Sequence, residues 1–211
     1  MRRLLLGLAV TALTVLAFAG SAGAATGQVT QFRFHGTFAD AIWITGPATS
    51  STVTSLSVST AKQGSELFVD QFTVNTDANG TITGATDTFA DVTSGFSFAV
   101  HQPLASASTS GSSLPAMVCT YDASLNLIGC SSTTMDVTAT WTGQGPITRG
   151  VSNDRVKVDG FSQTDHFNGT DRDATAAGTV AGLTLSGSDL AAADLGVAKA
   201  ATIIRCIGLS C

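Results

Sequence analysis

The sequence predicts an all-β protein, an antiparallel β-sandwich of about ten short strands with a closed β-barrel as the alternative architecture. Three observations predict it. Residues that a soluble helix places on its wet face are nearly missing: Glu66 is the only glutamate, and Lys62, Lys157 and Lys199 are the only lysines. Ser, Thr, Gly and β-branched residues take their place, as in sheet with many turns. Stretches of period-two alternation recur at intervals of roughly 8–15 residues, with turn signals between them.

Residues 1–25 stand apart from this pattern. A basic start, Arg2-Arg3, precedes an apolar run from Leu4 to Phe18, and Ala22-Gly23-Ala24 reads as a cleavage site. That is a secretory signal peptide, too short and wrongly flanked for a membrane anchor. The remaining 26–211 suit a single domain, and no later stretch is long and apolar enough to span a bilayer. Without the signal, eight cations face 15 acids, a net charge of about −7. Such a balance argues against nucleic acid, whose phosphates need clustered Lys and Arg. The signal and composition resemble those of exported bacterial β-proteins, and the chain is expected outside the cell.

All four cysteines, Cys119, Cys130, Cys206 and Cys211, follow the signal, so disulfides are expected. Nearness in sequence favours Cys119–Cys130 and Cys206–Cys211. Spacing of the CxxC type, which a zinc site would need, is missing.

The strands follow in order. Residues 28–38 alternate, with Phe32, Phe34, Gly36 and Phe38 expected inward. A short piece at 41–45 carries Trp43 and ends at Gly46-Pro47. In 52–61, Leu56 and Val58 point inward. In 66–76 the apolar phase changes from Leu67 and Val69 to Phe72 and Val74, which predicts a bulge near Asp70-Gln71.

Asn75, Asp77, Asn79 and Gly80 sit where a calcium loop of the EF-hand type places its early ligands and its glycine. The twelfth position is Thr86, however, and the flanks alternate like strands, which favours a hairpin turn. Partner strands follow at 80–89 and 95–101. The Ser/Gly/Thr-rich 106–115 is expected as a loop.

A hairpin about Asp122 places Cys119 opposite Cys130. The cleanest alternation is 134–142, with Met135, Val137, Ala139 and Trp141 on one face. Turns are expected at 152–154 and at Asn168-Gly169, a long small-residue strand at 174–185, a helical turn at 188–196 and a last strand at 198–207.

The stretch from Met135 to Asp173 gathers the side chains that could carry chemistry. Arg149, Asp154, Arg155, Lys157 and His166, with Trp141, form the candidate binding patch for an extracellular ligand, a glycan or a protein. Trp141 shares its phase with Met135 and Val137, however, which favours a core position. Asp165, Asn168, Asp171 and Asp173 form the candidate metal set, with calcium as the fitting ion.

No catalytic residue is assigned. No Gly-x-Ser-x-Gly elbow exists, and His35, His101 and His166 show no metal-ligand spacing with one another. The leading expectation is a secreted, non-catalytic binding or matrix component. The alternatives are a secreted hydrolase using Asp and His side chains of 154–173, and a calcium-stabilised module.

Overall fold

The computed structural model describes residues 29–158 and 161–206. The expected signal segment and the expected Cys206–Cys211 pairing lie outside the described residues. The chain forms the antiparallel all-β architecture that its composition calls for, with eleven strands and no helix among the described residues. They are β1 (Val29–Thr45), β2 (Ser50–Ala61), β3 (Gly64–Thr76), β4 (Ile82–Val92), β5 (Phe96–His101) and β6 (Ser106–Tyr121), followed by β7 (Leu127–Gly143), β8 (Thr148–Val158), β9 (Phe161–Val180), β10 (Leu183–Leu185) and β11 (Leu190–Cys206).

All eleven belong to one sheet. Its order runs β10-β9-β11-β1-β2-β3-β4-β6-β5, and β7 pairs with both β6 and β9. The hydrogen-bonded path through β9, β11, β1, β2, β3, β4, β6 and β7 therefore returns to β9, and the sheet doubles over its own core. Trp43 and Trp141 are fully buried there, among Leu56, Val58, Leu67, Val69, Val137, Val180 and Leu195. Each indole finds a backbone acceptor: Trp141 Nε1 donates to the Asp40 carbonyl at 2.9 Å, and Trp43 Nε1 to the Ala176 carbonyl at 3.3 Å. Two such rings dominate the core because each buries a large apolar area and pairs its one polar group. Where they lie, the opposing strands carry Ala39, Ala41, Ala139, Ala174 and Ala176, small enough to make room.

Several expectations change in the folded chain. Ala39, Ala41 and Trp43 form the core face of β1, so Phe34 and Phe38 lie on the outer face instead of inside. The outer face offers them flat seats. An added Cβ at Gly196 would run into the Phe38 ring, and the two residues are direct partners across β1 and β11.

No bulge occurs at Asp70-Gln71. The β2–β3 register is unbroken, and the only irregularity of β3 lies at Asn75/Thr76. The change of apolar phase is a change of what the interior contains. Past Val69 the inward positions become polar, with Gln71 reaching Thr54 and the Val180 carbonyl. Phe72, meanwhile, sits on the outer face, edge-on to Tyr121 at 6.2 Å.

The expected loop at 106–115 is the first part of β6, paired with β5 on one side and β7 on the other. The expected turns at 152–154 and Asn168-Gly169 are strand interiors of β8 and β9. Of the expected helical turn at 188–196, residues 188–189 lie in the turn after β10 and 190–196 are the start of β11. The disulfide Cys119–Cys130 joins direct partners of β6 and β7, as the hairpin count requires.

Candidate functional site

Four strands run on past the closed part of the sheet. In register they are β8, the first half of β9, the second half of β11 and the first half of β1. Side chains alternate across a strand, and direct partners on adjacent strands share a face. No register shift interrupts these pairings beyond the one at Ile42/Trp43. The face that holds the core at one end therefore continues as an open surface at the other.

That open surface is cationic. His35, Lys199, Asn168 and Val151 form one lateral row, and Arg33, Ala201, His166 and Asn153 the next. Arg149, Arg155 and Lys157 occupy the same face of β8. All five cations and both histidines are exposed. No Asp or Glu occupies this face among the described residues, although the protein as a whole is acidic.

Every cation after the expected signal segment lies in these strands or beside them. Lys62 sits in the β2–β3 turn, where Gln63 Nε2 donates to the Arg33 carbonyl at 2.7 Å. Arg172, at the root of the face, donates to the Gly145 and Leu104 carbonyls and so joins the loops that close the core. On the face, Asn153 Oδ1 and His166 Nδ1 lie 2.6 Å apart, which fixes the imidazole. An open depression of about 320 Å³ runs past Val151, Asn153, His166, Asn168 and Lys199.

The reverse face is acidic. Asp154 and Asp165 are direct partners, and Asp171 and Asp173 continue the same side of β9. Asp165 accepts from Thr202 Oγ1 at 2.6 Å and from Gln163 Nε2 at 2.8 Å, while Asp171 accepts from Thr148 Oγ1 at 2.8 Å. Asp40, Asp194 and Asp173 stand directly opposite one another on β1, β11 and β9. Burial, then the charges of Asp40, Asp171 and Asp173, push Asp194 up to about 7. Burial pushes Asp40 to about 6, against a lowering hydrogen bond from Ser57. A second pair lies further round the sheet, where burial, then the neighbouring Asp70, raises Asp87 to about 6.

Of the expected binding residues, Arg149, Arg155 and His166 share the cationic face. Asp154 belongs to its reverse, and Trp141 is core, with no exposed surface to offer a ligand. Of the expected metal set, Asp165, Asp171 and Asp173 share one side of β9 and Asn168 lies on the other. Among the described residues no group of three or more His, Cys, Asp or Glu side chains is placed to hold a metal ion. At the calcium-like loop, Asp77 Oδ1 accepts the backbone N–H groups of Asn79 and Thr81 at 2.8 and 2.9 Å. Those donors hold its carboxyl below the usual range, and the segment is the hairpin turn its flanks call for.

His35, Lys199 and Arg33 were not among the expected site residues. Arg33 and His35 stand on β1 and Lys199 on β11, and only the β1–β11–β9 register brings them beside His166.

A second cleft, of about 360 Å³, opens where the interior turns polar, between Gln71, Thr88, Val118, Thr134 and Asp136. It offers amide and hydroxyl groups, and Asp136 is engaged by the Ser113 backbone N–H at 2.8 Å.

Comparison of the chain with protein-family models, with curated proteins and with solved structures finds no match in any of the three.

Proposed function

We propose that the chain is an exported, non-catalytic binding module that holds an anionic partner on the open face of β8, β9, β11 and β1. One observation carries this reading: five cations and two histidines share an exposed face that holds no carboxylate among the described residues, on a protein with a large excess of acids. Concentrating the minority charge on one surface is how a protein attracts a partner of opposite sign despite its own net charge. A hydrolase draws little support from the same strands, because β9 sends His166 to one face and Asp165 to the other.

The test is retention on a sulfonate cation-exchange resin at pH 7 and low salt. A net-negative protein with dispersed charge passes through. This protein should be retained and should elute as salt screens the face. The triple variant Arg149→Ser, Arg155→Ser, Lys157→Ser should pass through with an unchanged melting temperature. Flow-through of the unaltered protein, or equal retention of the variant, would refute the proposal.

A further inference from the structure

We infer that the partner is a linear polysaccharide carrying carboxylates, lying across the four strands; this rests on the anion-binding reading above. The cations do not converge. Arg149 and Arg155 are six residues apart on β8, roughly 20 Å, and β8 and β11 are two strand spacings apart, roughly 10 Å. A compact anion such as a phosphate is gripped by donors aimed at one point, usually with backbone N–H groups among them. A face spread this widely suits a chain with a repeated negative charge.

Two further features choose among such chains. Uncharged hydrogen-bonding groups stand between the cations: Asn153, Asn168 and Thr164. They match a partner that presents hydroxyls between its charges. No phenylalanine, tyrosine or tryptophan shares the face among the described residues, since Phe34 and Phe167 lie on the reverse, so the large aromatic platforms on which single-stranded nucleic acid stacks are missing. The planar guanidinium fork of Arg149 and Arg155 fits a carboxylate through two parallel hydrogen bonds.

The experiment measures equilibrium binding of the mature protein to four probes at one ionic strength: polygalacturonate, polyglutamate, single-stranded DNA and neutral dextran. The expected result is polygalacturonate bound about tenfold or more tighter than polyglutamate or DNA, the worth of two neutral hydrogen bonds, with no binding of dextran. The double variant Asn153→Ala, Asn168→Ala keeps every charge. It should lose that preference while binding polyglutamate as before. Equal affinity for the three polyanions, or a preference for DNA or polyglutamate, would overturn this inference and leave the cationic face standing. Binding of none of them would overturn both.

Discussion

Asp194 makes the protein's stability fall as pH rises. It stands between Asp40 and Asp173 on neighbouring strands, and its carboxyl is raised from 3.8 to about 7. The folded chain therefore holds a proton on Asp194 that the unfolded chain has lost between those two values. The stabilisation is complete below pH 3.8 and is lost as pH climbs through 7. Three units correspond to about 4 kcal/mol, of which about 2 kcal/mol falls between pH 5.5 and 8. In a domain of this size that is a fall of roughly 4–8 °C in Tm.

Asp40 and Asp87, both raised to about 6, add to the fall in the lower part of the range. Asp194→Asn keeps the shape and removes the charge. It should melt above the natural protein at both pH values, and its lead should widen by roughly 4–8 °C from pH 5.5 to pH 8. Thermal melting followed by circular dichroism at the two pH values, for both proteins, is the assay. A variant whose Tm falls as steeply as the natural protein's would show that the row of aspartates does not govern this dependence.

Two other outcomes follow from the fold. Replacing Cys119 and Cys130 by Ala should cost about 2–3 kcal/mol and lower Tm by roughly 4–12 °C; a shift under 2 °C in a thermal melt would mean that the pairing of β6 and β7 needs no clip. Gly178→Ala should destabilise strongly, because the new Cβ would run into the Thr138 carbonyl oxygen of the paired β7, a backbone atom that cannot turn aside. Chemical denaturation should show a loss of more than about 2 kcal/mol, and a loss below 0.5 kcal/mol would contradict the close approach of β7 and β9.

Much of the fold is legible in single strands, and much less in how they meet. The run from Met135 to Trp141 shows its buried face plainly, because the apolar residues are large and the intervening ones polar. The Cys119–Cys130 partnership follows from counting outward from a turn. On β1 the same reasoning fails: Phe34 and Phe38 are outside and the small Ala39 and Ala41 inside, since the two buried tryptophans have already filled the core. Period-two patterns register size and polarity, and cannot say which apolar face has room.

Gly169 misleads for a related reason. Beside an asparagine it reads as a turn, yet it is a strand residue kept small because Val197 and the Phe167 ring press against it. The 106–111 stretch shows no apolar period, and its order comes from partners on both edges. The site was legible in part. Arg149, Arg155 and Lys157 fall on one phase once 148–158 is a single strand. Arg33, His35 and Lys199 join them only through long-range register, which no local pattern encodes.

The division of charge between the two sides of the β8–β9–β11–β1 extension gives the protein a permanent electric dipole. Cations stand on one side, and Asp154, Asp165, Asp171 and Asp173 on the other. In the field of a negatively charged surface such a molecule feels a torque before it feels contact. It turns its basic side forward while still within about a Debye length, roughly 8–10 Å at physiological salt. The aspartates then point back toward the medium, so that bound copies present an acidic exterior, a property that belongs to the orientation of the charges and not to their sum.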